Sequence, residues 1–233
     1  VACDAAQNCS ARSAPVTVVT AAAAASRALN DTGITTFAND TQNGLGTEPA
    51  THPRQDASVG RDVAARGGNM ARAAGSLSQS GGAGFDFSKI ANDGSVLPQS
   101  AALGDGGRDW ACTRDNVTGL VWEVKTTSGL RSAAHTYTVY NSDPATNGGS
   151  VGTASGGKCL TDGRCDTEKY VQDVNATGLC GANDWRMPLV NELEGLADLG
   201  RSNPAIDPAY FPNTPGNWFW SISPSASYAD GAW

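Results

Sequence analysis

The fold of this chain is decided by two tryptophan-bearing stretches, Trp110-Ala-Cys-Thr-Arg-Asp-Asn-Val-Thr-Gly-Leu-Val-Trp-Glu-Val-Lys125 and Asn183-Asp-Trp-Arg-Met-Pro-Leu-Val-Asn-Glu-Leu193. In the first stretch, the β-branched and apolar residues 117–124 predict a hairpin that enters a strand. In the second, apolar residues at helical spacing predict a helix over about Val190–Leu199, with Gly200 as its stop. Both stretches therefore belong to a region of short regular elements.

Three further segments extend this pattern. Asp166 is placed to cap a helix that runs to about Ala176, and Gly178 lies just beyond its end. Residues 85–90 alternate apolar and polar side chains, and residues 136–140 are β-branched and aromatic, so each predicts a strand. Two short helices among short strands and long loops predict an α+β domain.

Composition sets the organisation of the 233 residues. Hydrophobic residues make up 39% and charged residues 17%, with 28 glycines, which favours a loop-rich fold around a small core. We expect residues 1–28 to form an N-terminal extension and residues 29–233 to form the main domain. Residues 64–84 are rich in Gly, Ala and Ser and have low complexity, which predicts either a flexible excursion or a segment ordered only by a partner.

Charge and hydropathy limit the partners. The net charge of −7 disfavours binding to a phosphate backbone, so nucleic acid is not an expected partner. No apolar run approaches the roughly 20 residues that a membrane-spanning helix needs. The chain starts without Met and without a basic-then-apolar leader, which predicts a mature extracellular or cell-surface product after removal of a signal peptide.

Six cysteines support export because an even number is compatible with three disulfides. Proximity favours Cys3–Cys9 and Cys159–Cys165 as short loops, which leaves Cys112–Cys180 as a long-range bridge between the two decisive stretches. A metal site is the alternative, but no CxxC pair occurs and neither histidine lies near a cysteine.

Two groups of residues are candidates for ligand binding. Trp218 follows a Pro- and Gly-containing loop and is placed to stack on a sugar ring, whereas Trp185 and Trp220 are expected in the core. Asn141 and Asp143, with Asn147, form an oxygen-rich loop.

No cofactor is expected from the sequence, although Asp143 and Asn147 make this loop a weak calcium candidate. A turn held by Asx hydrogen bonds is the favoured alternative because only one carboxylate is present.

Residues 15–20 at the N-terminus are β-branched and predict a strand with free edges. Val16, Val18 and Val19 on this strand are the candidates for self-association by strand exchange. Catalysis is not expected, since His135 stands alone and no Ser-His-Asp set or Gly-x-Ser-x-Gly motif is legible.

Several separated motifs carry a family resemblance. The chain resembles the C-terminal domain family of the Legionella collagen-like protein, densely over residues 110–233. The matching motifs are Arg114–Lys125, Asp166–Val171, Gly178–Gly181, Asn183–Pro188, Asn191–Leu193, Arg201–Thr214 and Trp218–Ser223, with weaker matches at Leu29–Ile34 and Gln55–Asp62. The resemblance implies a C-type-lectin-like fold with twisted antiparallel strands and long loops, an extracellular location, and a role in adhesion or ligand display without catalytic residues.

Two departures from the family pattern bear on function. Leu189 stands where the family often has a helix-capping Thr. The family usually continues past the position of Trp233 with aromatic, glycine-rich strands, so either the chain is truncated or another segment supplies them. We therefore predict a secreted, non-catalytic adhesion domain for glycans or matrix polymers. The alternative is a structural subunit of an extracellular filament or oligomer assembled by strand exchange.

Overall fold

The computed structural model describes residues 29–66, 84–225 and 232. The predictions for the extension 1–28, including the Val16, Val18 and Val19 strand and the Cys3–Cys9 bridge, lie outside the described residues. So does most of the low-complexity stretch.

The described elements are short strands and helices. Five antiparallel strands form a hairpin and a three-stranded sheet of order β3-β4-β5: β1 Phe37–Ala38, β2 Asn43–Leu45, β3 Phe87–Ala91, β4 Trp110–Asp115 and β5 Val121–Glu123. The helices are α1 Arg61–Arg66, α2 Thr167–Thr177 and α3 Val190–Glu194, with 3₁₀ turns at Asp56–Ser58 and Leu179–Gly181. The mixed α+β class predicted from the sequence is confirmed.

Strand β4 is the centre of the sheet, and the first decisive stretch builds it together with β5. Its residues alternate between two covered faces, so Ala111, Cys112 and Thr113 have no exposed surface. The turn into β5 is held by Asp115, which accepts hydrogen bonds from the Val117 amide (2.9 Å) and the Thr118 hydroxyl (2.7 Å). The hairpin predicted over residues 117–124 is therefore present.

Helix α2 follows its local sequence signals closely. The Asp166 carboxylate accepts the Lys169 amide at 2.9 Å, which satisfies one free N–H of the first turn. Gly178 ends the helix in the left-handed conformation (φ 64°), which a glycine adopts without the usual Cβ strain. Val174 is buried, so its side of the helix packs toward the sheet.

Helix α3 is shorter than predicted, since it ends at Glu194 and not at Leu199. The chain tightens into i+3 turns after this point, where the Leu196 amide donates to Leu193 (3.1 Å). The Leu199 amide then donates to the Thr32 carbonyl at 2.7 Å, so a tertiary hydrogen bond replaces a helical one. At the other end the Glu192 carboxylate accepts the Leu189 amide (2.8 Å), which is one of the two bonds of a capping box. The reciprocal bond needs a side-chain oxygen at position 189, which Leu lacks.

Residues 136–140 do not form a regular strand, which corrects the prediction. Instead, three alternate residues of this extended segment make single bridges to three different partners. These pairs are Thr136 with Lys158, Thr138 with Asp166, and Tyr140 with Gly152. The β-propensity of the segment is used for local pairing and not for a sheet.

Two apolar clusters pack on the sheet. One joins β4 to the end of α2, with Leu130, Tyr170 and Trp185 against it: Ile90, Ala111, Cys112, Val174, Leu179 and Cys180. The other joins β3 to the turn that follows α3 and to the turn at 207–211: Phe85, Phe87, Leu196, Tyr210 and Phe211. The Thr113 hydroxyl donates to the Tyr210 carbonyl at 2.7 Å and ties that turn to the central strand.

Two disulfides brace this arrangement. Cys112–Cys180 links β4 to the 3₁₀ turn after α2 across a sequence separation of 68, and Cys159–Cys165 closes a loop of separation 6. Both pairings are those that the spacing predicts. Within the described ranges no helix combines the length and the apolar character required to cross a bilayer.

Candidate functional site

A cleft of about 210 Å³ lies where the 139–152 loop, the first turns of α2 and two later segments meet. The later segments contribute Arg186 and Met187, which precede α3, and Ser221 and Ile222. The walls are mostly apolar, with a few polar groups. Such a composition is typical of a ligand site.

The 139–152 loop is fixed to the start of α2. The Thr167 hydroxyl accepts the Tyr140 amide (3.0 Å) and donates to the Tyr140 carbonyl (2.9 Å), while Glu168 accepts the Ser142 amide at 2.7 Å. Gly152 has φ 75°, and a Cβ there would lie 2.3 Å from the Val139 carbonyl oxygen. A larger residue at 152 would therefore force the two arms of the loop apart and widen the cleft.

The predicted oxygen-rich residues lie on this loop. Asn141 and Asn147 line the cleft, whereas Asp143 is exposed on the same loop and is not part of the wall. Asp143 accepts the Ala145 amide (2.9 Å) and the Thr146 hydroxyl (3.1 Å), and Asn147 accepts the Gly149 amide at 2.9 Å. These side chains hold the turn by Asx hydrogen bonds.

Trp218, Phe219 and Trp220 form an exposed strip that we term the tryptophan ledge. Trp218 is fully exposed (102%), and Phe219 and Trp220 are each 40% exposed. Ser221 and Ile222 follow directly and enter the cleft, so the Trp218 Cα lies within about 11 Å of the cleft wall. The ledge therefore directly precedes the cleft-lining residues along the chain.

Trp220 is not in the core, which corrects the prediction. Its indole N–H donates to the Tyr137 carbonyl at 2.7 Å, so a tertiary hydrogen bond holds the ring at the surface. Trp185, by contrast, is half-buried against the first cluster and donates to the Leu179 carbonyl at 3.0 Å, as expected for a packed indole.

Two charged side chains line the cleft. Arg186 binds Glu192 through two guanidinium nitrogens (2.8 and 2.7 Å), and this pairing raises the pKa of Arg186 above its ordinary value. Glu168 is engaged by the Ser142 amide. Neither residue was singled out as a site residue from the sequence, although each lies within a motif that carries the family resemblance.

An aromatic network lies beneath the ledge. The Tyr137 and Tyr170 rings are 4.7 Å apart, and the Tyr170 hydroxyl donates to Glu123, which also pairs with Lys125. Burial, reinforced by the charges of Glu123 and Asp173, raises the pKa of Tyr137 to about 12. His135 lies 3.4 Å from the Tyr137 hydroxyl, so it belongs to this packing network.

Within residues 29–66, 84–225 and 232, no group of three or more His, Cys, Asp or Glu side chains is placed to hold a metal ion.

The Lcl C-terminal domain family matches residues 111–233, which is more than half of the chain. This range includes the cleft and the ledge. No curated protein and no solved structure matches the chain significantly. The chain belongs to the Lcl C-terminal domain family.

Proposed function

We propose that this chain is a non-catalytic binding domain of the bacterial cell surface that attaches to glycans or matrix polymers through the tryptophan ledge and the adjoining cleft. The single observation that carries the function is the complete exposure of Trp218 next to two further exposed aromatic rings. Contiguous apolar surface of this kind is kept in contact with water at a free-energy cost and marks interaction sites.

The chemistry of the ledge fits a polymer ligand. An indole presents a flat apolar face at low conformational-entropy cost and carries one polar N–H. In Trp220 that N–H is already bonded to Tyr137, so the ring is held in place before a ligand arrives. Preorganisation of this kind lowers the entropy lost on binding.

Family membership supports the surface location, because the family is named for a domain of a collagen-like surface protein. The two disulfides fit an oxidising compartment outside the cytoplasm. We include the C-type-lectin-like fold in this proposal, with the small antiparallel sheet, the capped α2 and the long braced loops as its support.

A glycan panel tests the function. We expect the native protein to bind at least one immobilised polysaccharide, and Trp218→Ala to weaken that binding about tenfold. Val96→Ala is the matched control, since Val96 is also exposed (60%) but lies in the β3–β4 connection away from the cleft lining. Equal binding by Trp218→Ala and the native protein would refute the proposed site.

The filament alternative depends on the strand containing Val16, Val18 and Val19, which is outside the described residues, and it stays a prediction. Light scattering of the native protein at low concentration separates the two functions. An open polymer that collapses on deletion of residues 1–28 would favour the structural subunit.

A further inference from the structure

The outer edge of the central sheet is a second interaction surface, separate from the ledge and the cleft. We propose that strand β5 is a docking edge and that residues 15–20 of the same chain, which lie outside the described residues, add to it as an antiparallel fourth strand. Three features support this assignment: the backbone of β5, the position at which the described chain begins, and the composition of residues 15–20.

The two outer edges of the three-stranded sheet differ. On the β3 side the chain folds back over the edge, where the Leu97 amide donates to the Lys89 carbonyl (2.9 Å) and the Ala91 amide donates to the Ser95 carbonyl (2.8 Å). On the β5 side, β4 is the only strand that pairs with β5 within the described ranges. In this part of the chain, β5 is therefore the open edge of the sheet.

Val121 and Glu123 carry the unpaired backbone groups of this edge. Leu120 and Val124 bond to β4 through the Leu120 carbonyl (2.8 Å) and the Val124 amide (3.1 Å). Because backbone direction alternates along an antiparallel ladder, Trp122 also faces β4, whereas the amides and carbonyls of Val121 and Glu123 point away from it. Among the described residues these outward groups have no hydrogen-bond partner, so an added strand can pair with them.

Trp122 shows a second unmet hydrogen bond on the same strand. Its indole N–H is buried, and no acceptor for it is present in the described part of the chain. Buried donors are almost always paired in folded proteins. An added strand brings acceptors to β5, and residues 15–20 include two threonine hydroxyls, at positions 17 and 20.

The described chain begins next to this edge. The Asn30 side-chain amide donates to the Asp115 carboxylate at 2.7 Å, and the Asp115 amide bonds to the residue that precedes β5 (2.8 Å). Asn30 therefore lies near Val121, the first residue of β5. The nine residues 21–29 can extend to roughly 30 Å, about three times the length of the three-residue β5. An antiparallel strand would place Thr20 at the Val121 end, where the connection to Asn30 is short.

The composition of the segment suits an edge position. Pro15-Val-Thr-Val-Val-Thr20 contains no charge and no glycine, and its β-branched residues favour extended backbone. Proline occurs only at the first position, where a strand tolerates a residue without an amide hydrogen. On β5, Val121 is 37% exposed and offers an apolar side chain for cross-strand contact.

Residue-resolved amide hydrogen exchange on the full chain tests the assignment. We expect the Val121 and Glu123 amides to be protected in the native protein. Val18→Pro should lower their protection about tenfold, because proline is not tolerated in the middle of a paired strand. The Trp122 amide faces β4 and should stay protected in both proteins, which would show that the sheet remains folded.

Ala24→Pro is the matched control, since it introduces the same residue outside the proposed strand. It should leave the protection of the Val121 and Glu123 amides unchanged. If these two amides exchange as fast as unpaired amides in the native protein, or equally in the native protein and Val18→Pro, β5 is not a docking edge and the proposal is overturned.

A dilution series identifies the source of the strand. Protection that is independent of protein concentration is expected for a strand from the same chain. Protection that falls on dilution, in step with dissociation measured by light scattering, would overturn the intrachain assignment and favour strand exchange between copies. None of these results depends on glycan binding, which Trp218→Ala tests separately.

Discussion

Trp110 and Trp218 carry the same side chain in opposite surroundings, and the regions around them differ in the same way. Trp110 is 4% exposed on β4; its indole donates to the Cys112 carbonyl at 2.8 Å, and the Lys89 ammonium lies 3.8 Å from its ring centroid. Trp218 is fully exposed on the ledge. The chain therefore uses indoles for two purposes, to build a core around β4 and to present a surface beside the cleft.

This difference separates the region that stabilises the fold from the region that is available for binding. The core region has a long-range disulfide, two apolar clusters and buried, hydrogen-bonded polar groups such as Thr113. The cleft and ledge region is held by turns, capping contacts and single bridges. We expect changes in the first region to alter the free energy of unfolding and changes in the second to alter binding.

The largest effect is expected from the Cys112–Cys180 disulfide. Replacing both cysteines by Ala should lower the free energy of unfolding by about 4 kcal/mol, because a closed loop of separation 68 restricts the unfolded chain strongly. The matched change at Cys159 and Cys165, with separation 6, should lower it by about 2 kcal/mol. Urea unfolding followed by tryptophan fluorescence measures both. Equal losses would show that chain entropy does not set the contribution of these bridges.

The paired tryptophan variants come next. Trp110→Ala should lower the free energy of unfolding by about 3 kcal/mol through the cavity left against β3 and β4. Trp218→Ala should change it by less than about 0.5 kcal/mol, as exposed substitutions do. Thermal and urea unfolding of the two variants decide the matter. A destabilised Trp218→Ala would mean that the ledge is part of the core.

Asp166 provides a smaller, pH-dependent effect. Burial opposes its ionisation, but hydrogen bonds from Lys169 and Ser155 and the Lys169 charge outweigh burial and hold its pKa below the ordinary 3.8. Its contribution is therefore fully present above pH 3.8 and is lost as the pH falls through the lowered pKa. Asp166→Asn should cost about 1–2 kcal/mol at neutral pH, with the difference from the native protein shrinking in acid.

The control for Asp166 lies on the exposed loop beside the same cleft. Asp143→Asn, on the exposed loop, should change stability by less than about 0.5 kcal/mol at any pH. Unfolding free energies of both variants across an acid pH series provide the measurement. A pH-independent loss in Asp166→Asn would contradict the assigned role of its charge.

The smallest effect concerns Tyr137, beneath the ledge. Because its pKa is raised to about 12, the folded state favours the neutral phenol, and stability should decline as the pH rises from about 10 toward 12. Tyr137→Phe should flatten this alkaline decline slightly while leaving stability at neutral pH almost unchanged. Phenolate absorbance and unfolding curves at alkaline pH check the expectation. An unchanged alkaline profile in the variant would assign the decline to other groups.

Local signals in the sequence predicted the parts of the fold that local interactions control. Asp166 and Gly178 set the ends of α2 to within about one residue, and the turn at Asp115 set the β5 hairpin. Cysteine spacing gave both described disulfides. These features need only neighbouring residues, or the small number of pairings that six cysteines allow.

Tertiary contacts decided the rest. The apolar spacing after Val190 favoured a longer helix, but the Leu199 amide bonds to the Thr32 carbonyl instead of to a carbonyl of the same helix. Trp220 was predicted in the core because it is a large aromatic residue, yet its bond to the Tyr137 carbonyl holds it at the surface. The cleft residues Arg186 and Gln172 come from separate segments, so only the folded chain places them together.

The Cys112–Cys180 bridge has a mechanical consequence for the polymer attachment that we propose. If the chain is pulled from its ends, the bridge carries the tension past the residues between the cysteines, and roughly 230 Å of contour length stays hidden from the force. The 139–152 loop and α2 lie inside this shielded segment, whereas the ledge lies outside it. Under load, the ledge would therefore separate from the cleft before α2 unfolds. A bound polymer would be released at that point, and the rest of the domain would stay folded.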